Sequence, residues 1–219
     1  MNFFWHNILM DKIEDTIIEF IKQYPEIFVS KKKKSNKPDP NTAEGELEIR
    51  QKIKESLNKI TKPSIPSTIP DPLVSVILNE FYDIAEDDLD SVAKEHQFSM
   101  AAEDAIGDYL EDYIFSVAKD YEWCHCVGEI IRATDFLKKE KNGWSLYQIK
   151  NRSNSENSSS KRVRKEIKKE TGLDITHWFR TFHRTGKTNW ENFPDEDLRD
   201  KLSEKGFQTY VKDSLSALK

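Results

Sequence analysis

The apolar residues Ile13, Ile17, Ile18, Ile21 and Tyr24 in IEDTIIEFIKQYPEIF recur at the spacing of one helix face, and Pro25 ends the pattern. Between Val29 and Leu47 the only apolar residue is Ala43, so KKKKSNKPDPNTAEGE reads as a loop or mobile arm. A short helix is expected over residues 44–60. The four prolines of PSIPSTIPDP then forbid helix and predict an extended connector. Helical spacing returns in LVSVILNEFYDI through Leu73, Val76, Ile77 and Phe81. It continues in MAAEDAIGDYLEDYIFSVAKDY, where Ile106, Leu110, Ile114 and Val117 form one stripe. These two helices are expected to begin the compact domain. Next, WCHCV, EIIRATDFL and WSLYQIK are rich in β-branched and aromatic residues and predict three consecutive strands, with Asn142-Gly143 as the hairpin signal between the last two. Residues 161–219 read as mostly helical with polar loops, notably TGKTNWENFPDED. The expected fold class is α/β (α+β), with a helical N-terminal extension and basic linker over residues 1–70 and a compact domain over 71–219.

Candidate chemistry lies on the third strand. Alternation sends Leu146, Gln148 and Lys150 to one side and Tyr147 and Ile149 to the other. Asp135 precedes Gln148 by thirteen positions across the hairpin and is expected to converge on the same spot. Hydrolysis of a phosphodiester needs a hard cation, and Mg2+ takes oxygen ligands from one or two carboxylates while keeping several waters. Asp135 is the expected anchoring ligand, with the side-chain oxygen of Gln148 and the backbone carbonyl of Ile149 as further ones. Lys150 is placed to orient or help deprotonate an attacking water and to balance charge. Gln148 is uncharged, so a second carboxylate is expected from the long helix, where Glu103, Gly107 and Glu111 lie along one flank. Glu111 is the first choice and Glu103 the next, with Gly107 allowing another backbone to approach. Glu129 is a third candidate. Each of these side chains could equally sit on an ordinary solvated face.

Composition narrows the classes. With 219 residues, 37% of them hydrophobic, the chain can bury one sizeable core. No apolar run approaches the roughly 20 residues that cross a bilayer. The start MNFFWHNILMDK lacks a basic leader and a small-residue cleavage site, so a cytoplasmic location is expected. Cys124 and Cys126, the only cysteines, share a strand face, are poor disulfide partners, and read as reduced, buried thiols. With His125 they could suggest zinc, but no second Cys/His pair completes a tetrahedral site. The chain has no G-x-S-x-G elbow, P-loop or dinucleotide fingerprint.

The net charge of -5 conceals an asymmetry. Residues 71–122 carry 2 basic and 15 acidic groups (net -13), and residues 144–190 carry 11 basic and 4 acidic groups (net +7). One face is therefore suited to a polyanion, unless both are merely solvated. Directly after Lys150, NRSNSENSSS supplies Asn151, Arg152, Asn154, Ser155, Asn157 and Ser158, short groups that reach phosphates and base edges. Arg152 and Asn154 are the base-edge candidates; a flexible low-complexity linker is the competing reading. KRVRKEIKKE then brings Lys161, Arg162 and Arg164 in a basic helix suited to phosphate neutralisation, and Lys31–Lys34 could touch the backbone too. In HWFRTFHRTGKTNW, Trp178, Phe179 and Phe182 at helical spacing are expected inside, and Arg180, Arg184, Lys187 and Asn189 toward DNA.

The order of helix glutamate, strand Asp, hairpin and Gln-x-Lys strand resembles the PD-(D/E)XK nuclease core in a variant with Gln148 at the usual second acidic position. HQFSMAAEDAIGDYLEDYI, RATDF, QIKNRSNSENSSS and WFRTFHRTGKTNWENFP, spanning roughly residues 70–195, look like the SinI/AvaII group of type II restriction endonucleases. The resemblance implies a mixed central sheet flanked by helices. It further implies Mg2+-dependent double-strand cleavage by a homodimer at a short palindrome of the GG(A/T)CC type, in a bacterial restriction-modification system with a cognate DNA methyltransferase. The first 60 residues carry no part of it. The competing functions are a repair or junction nuclease on the same core, a catalytically inert DNA-binding module using the basic half, and a helical interaction adaptor.

Overall fold

The computed structural model describes residues 3–29, 38–57, 59, 61–67, 71–154 and 158–219, and for residues 3–10, 129 and 158–160 it describes the backbone alone. Lys31–Lys34 lie outside the described residues. Four strands form one sheet in the order β1 (Trp123–His125), β2 (Phe136–Glu140), β3 (Gly143–Arg152), β4 (Ile175–Thr181). The first three are antiparallel neighbours, and β4 runs parallel to β3 after a crossover through helix α5 (Ser158–Thr171).

Strand alternation sorts the two cores. Leu137 and Leu146 face the N-terminal helices α1 (Phe3–Gln23) and α2 (Ala43–Leu57), packing with Ile13, Ile17, Phe20, Ile49, Ile53 and, from α5, Ile167. The edge of Trp144 meets Phe20, with ring centroids 5.2 Å apart. Phe136, Tyr147 and Ile149 face the other way, onto Tyr109, Leu110, Tyr113 and Ile114 of α4 (Glu86–Ala118) and onto Trp178, Trp190, Phe193 and Phe207. Two short C-terminal helices, α6 (Glu196–Arg199) and α7 (Glu204–Ser216), close this side. Asp195 ties them to the sheet edge by accepting from Trp123 Nε1 at 2.8 Å and Lys138 Nζ at 2.7 Å. The sheet is thus helix-covered on both faces, and α1, α2 and residues 27–28 share a core with it. Ile17 is fully buried in that core. Ile17→Ala is expected to cost about 3 kcal/mol, read as a lower denaturant midpoint at unchanged slope.

Four local expectations need correction. Glu140 pairs with Gly143, so the two hairpin loop residues are Lys141 and Asn142, one position earlier than the Asn-Gly signal suggests. Of EIIRATDFL only the end is strand: residues 127–129 form a 3-10 turn, and Ala133 takes a left-handed conformation (φ 53°). The stretch after residue 161 contains strand β4, so Trp178 enters the core by strand geometry, Phe179 is half-buried and Phe182 is exposed. Finally α3 (Pro72–Tyr82) opens no core, since Leu73, Val76, Ile77 and Phe81 are all exposed. Helix α4 starts at Glu86, well before the predicted stripe; Leu110 and Ile114 are buried, and Ile106 and Val117 only partly.

Candidate active site

A cleft of about 750 Å³ opens between the start of β2, the Gln148 face of β3 and the flank of α4. Asp135, Gln148, Lys150 and Glu111 all line it. Asp135 sits one residue before β2, where its N–H donates to Tyr147 O at 2.9 Å and its carbonyl accepts from Cys126 N at 2.8 Å. Its carboxylate oxygen Oδ2 accepts from Ile149 N at 2.7 Å. Backbone and side chain therefore grip β3 together, which fixes the carboxylate relative to Gln148 and Lys150. Burial pushes the Asp135 carboxyl up to about 7, the nearby Glu111 carboxylate pushes in the same direction, and Lys150, the Ile149 N–H and His125 oppose it. Two carboxyl groups thus converge where a cation or a proton must relieve them.

Glu111 is aimed from the opposite wall. Its Oε2 lies 3.1 Å from Nε2 of His125, a buried ring stacked on Phe136 at 4.8 Å between centroids. His125 is a support the sequence pattern did not single out, and only the short β1 strand brings it under α4. Asp108 and Asp112, also on α4, line the same cleft. Burial raises both carboxyls, Glu111 adds to the effect at each, and Asp112 accepts from Thr61 Oγ1 at 3.0 Å. Their positions three residues before and one after Glu111 were the available signal.

Gln148 is 5% exposed, and its Oε1 accepts from Arg164 Nη1 at 2.7 Å. The oxygen expected toward a cation is engaged by a guanidinium of α5, which brings that charge into the cleft wall. His177 on β4 stands in register with Gln148, and its buried Nε2 has no hydrogen-bond partner among the described residues. Burial lowers its pKa, and Arg164, Lys150 and Lys161 lower it further, so a neutral ring sits among three cations. Lys150 is half-buried on the cleft face. Ile149 turns its side chain into the core and gives its N–H to Asp135.

Other predicted residues lie elsewhere. Glu103 is absent from the cleft lining; its mostly exposed carboxylate stands 3.8 Å from Arg152. Among the described residues no atom lies within 4 Å of a Cβ placed on Gly107, so no second backbone among them uses that gap. The Glu129 side chain, together with Ser155, Asn157 and the Ser158 side chain, lies outside what is described. Asn151 Oδ1 accepts from Arg180 Nε at 3.0 Å, and Arg180 also pairs with Glu204 at 2.6 Å. Asn189 is buried and donates to Phe179 O, so it and Arg180 face inward instead of toward a ligand. Arg152 at the end of β3, Asn154 just after it, Lys161 and Arg162 on α5, and Arg184 and Lys187 after β4 are exposed. Cys124 and Cys126 are buried free thiols. Among the described residues no helix is long and apolar enough to cross a membrane.

Residues 7–217 match the family model described as SinI restriction endonuclease, so the match includes α1 and α2, where the sequence motifs showed nothing. The type II restriction enzyme SinI of Salmonella infantis is 38% identical over 206 residues, covering 93% of this chain and 86% of that relative. The type II restriction enzyme Eco47I of Escherichia coli is 36% identical over 201 residues, covering 91% and 84%.

Proposed function

The chain belongs to the SinI restriction endonuclease family, and from that premise we propose that it makes Mg2+-dependent double-strand cuts at a short palindromic DNA site of the GG(A/T)CC type. The observation that carries this reading is the convergence of Asp135, Glu111 and Lys150 in one cleft beside the basic helix α5. Among the described residues no three His, Cys, Asp or Glu side chains group to hold a metal. Asp135 and Glu111 offer two carboxylates to one ion, which fits Mg2+, a cation that keeps most of its waters. Held by Asp135 and Glu111, Mg2+ would neutralise charge on the phosphate oxygens and lower the pKa of a bound water.

The chain's own groups do the rest. The Ile149 N–H holds one oxygen of Asp135 and leaves the other to the cation. His125 orients Glu111. Lys150 holds the attacking water by donating toward it and offsets the charge that develops on the phosphate. Gln148, whose oxygen is engaged by Arg164, acts as a positioning residue that keeps the guanidinium against the phosphate. Lys161, Arg162, Arg184 and Lys187 neutralise neighbouring phosphates, and Arg152 and Asn154 read base edges. A palindrome calls for a two-fold homodimer, each copy cutting one strand, in the bacterial cytoplasm beside a cognate methyltransferase.

Plasmid DNA incubated with and without Mg2+ tests this. Discrete Mg2+-dependent fragments whose ends share one palindrome support it. Bound but intact DNA would leave an inert DNA-binding module, and absent binding would overturn any nucleic-acid role.

A further inference from the structure

Helix α3 is apolar without being covered. Leu73, Ile77 and Phe81 recur every fourth residue and are 64%, 56% and 75% exposed, and Val74, Val76 and Tyr82 are exposed beside them. On α3 only Leu78 and Asn79 are partly covered, with Asn79 Nδ2 donating to Ile84 O at 2.8 Å and Asp83 making the left-handed turn between the helices. The first half of α4 adds exposed Phe98 and Met100. The six side chains on α3 alone expose on the order of 700 Å², more than the largest apolar patch of a typical monomer and approaching the ~800 Å² that each partner brings to a standard interface. An eleven-residue helix with this face in water is marginal by itself.

We propose that this face of the α3–α4 hairpin is where two copies of the chain pair, as an isologous two-fold interface. The proposal rests on the reading above that both strands of a palindrome are cut, since one chain carries one such cleft and a second copy supplies the other. Residues 71–100 hold eight acids and one lysine, which rules out DNA as the occupant. Asp83, Glu86, Asp87 and Asp88 are exposed around the apolar centre and repel their counterparts across the axis. Salt therefore tightens the pairing while it weakens DNA binding, an opposition that an interface of the acidic half of one copy on the basic half of the other would not show.

Sedimentation equilibrium of the full chain at low and high salt is the test. The expected result is a dimer whose dissociation constant falls with salt and rises roughly a hundredfold or more in the Ile77→Glu/Phe81→Glu double variant, which keeps a native circular dichroism spectrum because both positions are exposed on the single chain. A monomeric protein, or a dimer that the double variant leaves intact, overturns the proposal. Should that variant unfold, Leu73→Cys, Ile77→Cys and Phe81→Cys decide it singly: an oxidised covalent dimer from any of them supports the pairing, and none from all three refutes it. Plasmid cleavage run alongside separates the two readings. Mg2+-dependent cutting without α3 pairing overturns the interface alone, and intact α3 pairing without cutting overturns the nuclease reading alone.

Discussion

Asp135→Asn is expected to lower plasmid cleavage by roughly 10³-fold or more while raising the melting temperature of the metal-free protein at pH 8. Both effects come from one carboxylate. Its ordinary value is 3.8 and the fold pushes it to about 7, so between those values the folded chain holds one proton more than the unfolded chain. Stability from this group is complete below the lower value and is lost as pH rises through the upper one. The shift corresponds to about 4 kcal/mol at pH 8, an upper bound, and much less near pH 5. Asn keeps an oxygen for the Ile149 N–H and carries no charge. The stabilisation by Asn should therefore be several degrees at pH 8 and shrink toward pH 5, followed by thermal melting in chelator. Millimolar Mg2+ should raise the melting temperature of the parent protein and leave that of the variant nearly unmoved. A variant that melts lower than the parent at pH 8, or that still cuts, would remove Asp135 from the metal site.

Lys150→Ala should reduce the cleavage rate by about 10²–10⁴-fold, the range for a residue that handles the attacking water. DNA binding measured in chelator should weaken only slightly, because the basic residues of α5 remain. Lys150 also opposes the upward push on Asp135. Its loss should shift the residual pH–rate profile toward higher pH, a change that simple loss of affinity would not give. Lys150→Arg restores the charge but not the compact ammonium, and partial recovery with the parent pH profile is the expected result. A full rate in Lys150→Ala would assign the water to another group in the cleft.

Strand parity made the middle of the candidate site legible. Gln148 and Lys150 share a face because β3 alternates, and Tyr147 and Ile149 enter the opposite core as the pattern requires. Glu111 followed from helix spacing and a short path to the sheet. What stayed hidden depends on long-range register. ITHWFRT carries aromatic and β-branched residues that fit a helix face as well as a strand, and only pairing with β3 decides between them. The Arg164 contact with Gln148 needs the angle at which α5 crosses the sheet, and the His125 contact with Glu111 needs α4 laid over β1. Helix α3 misled in the other direction: its spacing was helical as expected, but periodicity names an apolar face without naming what covers it.

The alternation of β3 also constrains how such a chain can drift. An insertion or deletion of a single residue between Leu146 and Lys150 would exchange the two faces beyond it, placing Lys150 in the aromatic core and Ile149 in the cleft. Changes of even length keep the parity, and the two-residue turn at Lys141 and Asn142 can absorb extra residues before the strand begins. The strand thus behaves as a frame-sensitive segment at the protein level. Length variation in functional variants should accumulate in its turn, and odd-length changes within the strand should be purged.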